Sequence, residues 1–185
     1  MAVITISRQL GSLGCEIARA AAHELGFRVL RRELLHTAAQ KVGLPEIGLE
    51  IVDELGLFGL TSNIKQRKAY AKALEGVLAE EAATGNVVIL GRAGQVLLQD
   101  FPQSLHIRMI APIALRIERV AQVNRIPIEA ARAQIEASDH YRERFLSRFF
   151  GVRIEDPQLY DLIINTGRLS VQQCASLIVE AARRL

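Results

Sequence analysis

Residues 3–25, VITISRQLGSLGCEIARAAAHEL, decide the fold. The run Val3-Ile4-Thr5-Ile6 is β-branched and is typical of a buried strand. A polar segment with Gly11, Ser12 and Gly14 follows, and apolar residues then recur every fourth position, as on one face of a helix. The pattern predicts a strand, a tight loop and a helix. The first N–H groups of that helix would converge on one point, where an anion could bind.

The same loop lacks the cation that a phosphate loop usually carries. Such loops place a lysine on the β and γ phosphates and a hydroxyl on magnesium. Here Gly14 stands at the lysine position and Glu16 stands near the hydroxyl position. Ser7 and Arg8 follow the strand directly, where ligands of open α/β sheets bind. Two interpretations stay open: a plain strand-to-helix turn, or a phosphate site with a different cation.

Composition limits the class of protein. The chain has 185 residues, half of them hydrophobic, which is enough for one core. It carries only Cys15 and Cys174, its start at Met1 to Thr5 lacks a basic flank followed by an apolar run, and it has no run of roughly 20 apolar residues. Its 19 arginines and 4 lysines are interleaved with acidic residues, which does not favour a nucleic-acid surface. We expect a cytoplasmic protein that binds neither membrane nor nucleic acid.

Five short apolar runs alternate with helical patterns, as in a parallel sheet covered on both faces. The pattern predicts a three-layer α/β fold with a five-stranded parallel sheet in a single domain, residues 1–185. Two intervals, 31–85 and 127–157, exceed a simple crossover, so we interpret them as insertions that carry function. The predicted strands are Val3–Ile6, Phe27–Leu30, Val87–Leu90, Leu105–Ile110 and Tyr160–Ile164.

Arginines supply most of the other candidate ligands. Gly91-Arg92 follows a predicted central strand and would face the same crevice as the first loop. Arg119 lies on a helix that follows the fourth strand, where a solvated charged face is the simpler interpretation. The helix from Glu129 to Phe150 combines apolar pairs with arginines, which favours either ordinary packing or a mobile arm that brings cations to a phosphate. Asp139 could pair with Arg142 one turn away.

Other kinds of site are absent from the sequence pattern. The four histidines are scattered, and no His or Cys pair has metal-ligand spacing. No metal ligand can therefore be assigned, although magnesium held mainly by nucleotide phosphates would leave little trace. A helix between Gln66 and Ala83 has apolar residues at helical spacing, which suits core packing or a homodimer contact.

Taken together, these motifs resemble the cytidylate kinase-like family of bacterial proteins. That family typically opens with Ile-Ser-Arg-Glu-aromatic-Gly-Ser-Gly-Gly-Arg-Glu-Ile, and this chain reads ISRQLGSLGCEI over residues 6–17. The similarity continues through nearly the whole chain. The matching segments are Arg32-Glu33-Leu34-Leu35, Gly91-Arg92, Arg116-Ile117-Glu118-Arg119-Val120, Asp156-Pro157, Tyr160-Asp161-Leu162 and Asn165-Thr166.

The resemblance implies a P-loop nucleoside monophosphate kinase fold that transfers the γ-phosphoryl group of ATP, with magnesium, to a nucleotide such as CMP. The interval 31–85 would bind the acceptor and 127–157 would form the lid. ATP phosphates would lie on Gly11, Ser12, Leu13, Gly14, Cys15 and Glu16, and the ATP base near Asn165 and Thr166. Arg32, Arg92, Arg119 and Asp139 would contact the acceptor. Arg8, Arg142, Arg144 and Arg148 would stabilise the transferring group.

The loss of lysine is a trait of this family, but other departures belong to this chain. Gln9, Leu13, Cys15 and Arg31 replace the family's glutamate, glycine, arginine and aspartate. Three hypotheses follow. The protein is a nucleotide kinase in which Arg8 or a lid arginine replaces the lysine, a catalytically weak or inactive regulatory protein that binds a nucleotide or another phosphorylated ligand, or an interaction scaffold.

Overall fold

The computed structural model describes residues 2–30 and 64–185. The predicted strand, loop and helix at the start are confirmed as β1 (Val3–Arg8) and α1 (Gly14–Leu25). Gly26 ends α1 in the left-handed conformation, with φ 69°, which is the usual role of glycine after a helix. The chain then enters β2 (Arg28–Leu30).

The remaining elements alternate as the sequence predicts. The helices are α2 (Ile64–Ala83), α3 (Gly94–Leu97), α4 (Ile113–Asn124), α5 (Ile128–Phe150) and α6 (Val171–Ala182). The strands are β3 (Val87–Leu90), β4 (Ser104–Ile110) and β5 (Leu162–Asn165), and a 3₁₀ turn spans Pro157–Leu159. The last strand begins two residues later than the sequence predicts, because Pro157–Leu159 forms the turn before it.

The five strands form one parallel sheet in the order β2-β3-β1-β4-β5. β1 lies at its centre, with Ile6 opposite Leu90 of β3 and Ile107 of β4. Because all strands run the same way, their carboxyl ends meet at one edge. The loops after β1, β3 and β4 are therefore neighbours.

Helices cover both faces of the sheet, as the alternating pattern predicts. α1 and α6 bury one face, where Ile4, Ile17 and Ile178 are fully enclosed. α2 packs Leu74 and Leu78 on the other face. Ser170 is the N-cap of α6, where it forms a reciprocal capping box with Gln173. No helix within the described residues is long and apolar enough to cross a membrane.

Candidate functional site

Arg8 ends the central strand and extends its side chain along the carboxyl edge of the sheet. A Cβ placed on Gly91, just after β3, would overlap Nη1 of Arg8. Gly91 itself has φ 74°, and the next residues, Arg92 and Ala93, also have positive φ values of 61° and 55°. Three successive left-handed residues are costly, so the turn that presents Arg92 is fixed by its surroundings.

The stem of Arg8 fills the space in front of Gly14. A Cβ on Gly14 would lie 2.7 Å from Cβ of Arg8 and 3.1 Å from its Cγ. A side chain at position 14 would therefore displace Arg8. The position where a phosphate loop carries lysine is therefore filled by the stem of Arg8, whose guanidinium group extends toward Gly91.

Arg142 reaches the same place from α5. Its Nη1 donates a hydrogen bond of 2.9 Å to the backbone oxygen of Arg8. Burial, and then the positive charge of Arg8, lower the pKa of Arg142 to about 10, while Asp139 and Cys15 oppose the shift and Arg92 adds to it. A bound anion would relieve the mutual repulsion of these arginines.

These three arginines line a cavity of about 500 Å³. Its floor includes Ser7 and the buried Gln95, and α5 closes it with aromatic and small side chains. Concave sites of 300–1,000 Å³ with a few charged groups are typical of small-molecule ligands. Its principal lining residues are Ser7, Arg8, Arg92, Gln95, Ser138, Tyr141, Arg142 and Phe145.

The loop between β1 and α1 is held by arginines through its carbonyl groups. Besides Arg142, Arg116 Nη1 bonds the oxygen of Leu10 at 3.4 Å, and Arg119 Nη1 bonds the oxygen of Gly11 at 3.2 Å. Gly11 has φ 80°, and an added Cβ would lie 2.8 Å from the backbone oxygen of Arg116, so only glycine fits. Carbonyls that face the helices are turned away from the ligand side of the loop.

Arg119 also binds the loop that follows β5. Its Nη1 and Nη2 donate to the hydroxyl and backbone oxygen of Thr166, at 3.1 and 2.9 Å. The hydroxyl of Thr166 in turn donates to the oxygen of Ser12 at 3.0 Å. Arg119 and Thr166 therefore hold the loop between β1 and α1 through the carbonyl groups of Gly11 and Ser12.

The start of α1 has no side-chain cap. Leu13 is the N-cap with φ 60°, and no side chain caps the helix. The Leu13 side chain packs against the core between α1 and α6. Glu16 is exposed, and Cys15 is half-buried and lies within electrostatic reach of Arg142. The unsatisfied N–H groups of a first helical turn favour an anion.

The other predicted residues lie elsewhere. Asp139 pairs with Arg116 at 2.7 Å rather than with Arg142. Nη1 of Arg144 lies 3.4 Å from Nε2 of His140. Arg148 is exposed and lines a different groove beside α2 and α3. Asn165 is exposed and accepts a hydrogen bond from Gly167 N. Arg32 falls outside the described residues.

Sequence reasoning missed two buried arginines near the site. Arg116, three residues before Arg119 on α4, is only 5% exposed and supports the loop. Arg108, within β4, is 6% exposed and donates from Nη1 to the Tyr160 hydroxyl at 3.3 Å. Polar residues at every second position of β4, His106 and Arg108, were the available signal, since they share one face of the strand.

The fold and the loop define an α/β protein of the P-loop nucleoside monophosphate kinase-like class. Among solved structures, an uncharacterised protein from Eubacterium ventriosum matches with TM-score 0.79 and 20% identity, covering 100% of this chain and 99% of that one. Shikimate kinase from Acinetobacter baumannii matches with TM-score 0.55 and 15% identity, covering 100% and 94%. At these identities the structures show the shared fold.

The sequence comparisons give the family. The sequence profile of the cytidylate kinase-like family matches residues 3–168, so the chain belongs to that family. A cytidylate kinase from Saccharolobus islandicus is 28% identical over 96% of this chain and 88% of its own length. A uronate isomerase from Corynebacterium glutamicum is 34% identical over 56% of this chain, which spans only 20% of that protein.

Proposed function

We propose that this protein transfers the γ-phosphoryl group of ATP to a nucleoside monophosphate such as CMP, in the cytoplasm, with Arg8 in place of the missing lysine. The observation that carries the proposal is that the Arg8 side chain fills the space over Gly14, while Arg92 and Arg142 line the same cavity. The family and its kinase relatives support nucleotide kinase-like function.

The residues present fit a polyphosphate. The uncapped start of α1 offers N–H donors, and Arg8 and Arg142 supply positive charge beside it. A phosphoryl group in transfer spreads negative charge over its three equatorial oxygens, so cations positioned in advance lower the barrier. Arg8 and Arg142 would neutralise that charge, and Arg92 would orient the acceptor phosphate.

Magnesium would be held mainly by the nucleotide. Within residues 2–30 and 64–185, no cluster of three His, Cys, Asp or Glu residues could bind a metal. Bound magnesium would neutralise the β and γ phosphates, as it does when protein ligands are few. The chain itself would bind the phosphates, orient them and exclude water beneath α5.

The test is an ADP-release assay with ATP, magnesium and, in turn, CMP, dCMP, UMP and AMP. We expect release with at least one acceptor. Arg8→Met should slow it about a hundredfold, since a charge-assisted contact worth about 3 kcal/mol is lost. Arg132→Met is the matched control, because Arg132 lies on the same helix as Arg142 but is solvent-exposed and bonded to Glu129. Equal rates in the Arg8 variant and wild type would contradict the role of Arg8.

A second candidate function is binding of a nucleotide or another phosphorylated ligand without transfer, in a regulatory role. The leucine at a left-handed loop position favours it, since it departs from a working phosphate loop. Calorimetry separates the two. ATP that binds with no ADP release across all four acceptors supports this candidate, and the kinase proposal is then rejected.

A further inference from the structure

A second, smaller cavity adjoins the site on the other side of Arg8 and Arg142. Its volume is about 170 Å³, and both arginines line it as well as the larger cavity. Arg108 of β4 and Gln9 also line the small cavity. The space is below that of a typical cavity for a whole small molecule, but it can hold a group the size of one phosphate.

Arg108 has no counter-charge among the described residues. It is 6% exposed, and its contacts are the Tyr160 hydroxyl at 3.3 Å and the Tyr160 ring, whose centroid lies 5.6 Å from the guanidinium carbon. That hydroxyl is neutral and donates its own proton to the oxygen of Ile154. The ion pairs of the described chain do not include Arg108. A buried cation with neutral partners is costly unless an anion joins it.

The carboxylates of the cavity do not supply that anion. Asp139 is already paired with Arg116 at 2.7 Å. Glu143 and Glu155 are exposed, as is His140, so water screens their charges. Arg108 is therefore buried at the wall of this cavity, whereas Glu143 and Glu155 face solvent.

We propose that this small cavity is a second anion subsite, in which Arg108 binds a tetrahedral oxyanion together with Arg8 and Arg142. The oxyanion is a single phosphoryl group, either free inorganic phosphate or part of a ligand that extends from the larger cavity. The subsite rests on the proposed function, because a phosphorylated ligand in the larger cavity would contact two of the same arginines, Arg8 and Arg142. It depends on Arg108, whereas the kinase proposal depends on Arg8.

The test compares Arg108→Met with wild type by thermal unfolding, in inorganic phosphate and in sodium chloride of equal ionic strength. Methionine keeps much of the aliphatic stem and removes the charge. We expect phosphate to raise the melting temperature of wild type, and we expect the variant to bind phosphate at least tenfold more weakly. A phosphate-induced rise as large in Arg108→Met as in wild type would overturn the subsite.

Two further measurements separate the charge of Arg108 from a purely structural role. Arg108→Lys retains the charge and should recover most of the phosphate response; no recovery in a folded protein would also count against the subsite. Without phosphate, Arg108→Met should melt at or above the wild-type temperature, because an unpaired buried charge is removed. A lower melting temperature would indicate that Arg108 serves only to hold Tyr160, and would count against the proposal.

Calorimetry of phosphate in the presence of saturating ADP distinguishes the source of the oxyanion. Phosphate that still binds indicates a separate ion, and phosphate that is displaced indicates a phosphoryl group of the nucleotide. The ADP-release assay reports on the kinase proposal independently. A protein without transfer activity that still shows the Arg108-dependent phosphate response would retain the subsite and lose the proposed function.

Discussion

Arg8 and Gly14 compete for one space where β1 and α1 meet. Their relation is steric, because Cβ of Arg8 would lie 2.7 Å from a Cβ at position 14. Replacing Gly14 by lysine alone would therefore displace Arg8. The two positions have to change together, which makes them suitable for a double-mutant cycle.

We expect Gly14→Ala to destabilise the protein by about 1–3 kcal/mol, although alanine is the better helix former, because it overpacks against Arg8. Arg8→Gly removes the clash, so the double variant should be at least about 1 kcal/mol more stable than the sum of the single changes predicts. Urea unfolding measures all four proteins. Gly76→Ala is the control, since an added Cβ there meets nothing within 4 Å and should be neutral or stabilising. Strict additivity would contradict the shared space.

Leu13 carries a conformational cost that can be measured separately from its packing. The residue has φ 60°, where a side chain costs roughly 1–2 kcal/mol, and its side chain packs on the core. Leu13→Ala and Leu13→Gly both lose that packing, so their difference reports the backbone. We expect the glycine variant to be more stable than the alanine variant by about 1 kcal/mol in urea unfolding. At Ala20, inside α1, replacement by glycine should instead cost about 1 kcal/mol. If glycine were more stable than alanine at both positions, or less stable at both, the left-handed conformation of Leu13 would be contradicted.

At the scale of elements, the first loop is held between two helices and the end of β5. α5 reaches the oxygen of Arg8, while α4 reaches those of Leu10 and Gly11. Thr166, which is fully buried, connects Arg119 to Ser12. The loop geometry is thus set by partners distant in sequence, and the orientation of its N–H groups depends on them.

Thr166→Val tests this bracing, because it keeps the shape and removes the hydroxyl. The oxygen of Ser12 would lose its donor and Arg119 one acceptor, which should cost about 1–3 kcal/mol of unfolding free energy. Amide hydrogen exchange of residues 9–14 should accelerate more than that of α6, the neighbouring helix. Thr166→Ser keeps the hydroxyl and should restore slow exchange. Equal exchange in the valine variant and wild type would show that the loop does not need this contact.

At the scale of the whole molecule, the sequence predicted the sheet better than the site. Five apolar runs were enough to predict the five parallel strands, because strands buried on both faces require continuous apolar sequence. Arg8 and Arg92 were identified because each follows a strand, where the topology brings them together. The burial of Arg116 depends on the packing of α4 on α5, which the sequence pattern does not give, whereas the alternation of polar residues in β4 was a signal for Arg108. Charge on a helix favours solvent until tertiary contacts decide otherwise.

The buried imidazole of His106 links the stability of the whole fold to pH. His106 joins the strands of the sheet centre, with Nδ1 2.7 Å from the hydroxyl of Thr5, and its other ring nitrogen lies 3.2 Å from that of Ser104. Burial lowers its pKa below the usual 6.5, although the charge of Asp161 opposes the shift. The folded protein therefore keeps a neutral imidazole where the unfolded chain would bind a proton.

Because the unfolded state binds more protons between the lowered pKa and 6.5, His106 makes the free energy of unfolding fall as the pH drops through 6.5. Its contribution reaches at most about 1.4 kcal/mol per pH unit and ends below the folded-state pKa. His106→Asn, which can still bond Thr5, should flatten the profile between pH 5 and 7 in urea unfolding. His140→Gln, at an exposed position, should leave the slope unchanged. A slope that persists in the asparagine variant would assign the pH dependence to another group, and the neutral state of His106 would then not be what couples folding to protons.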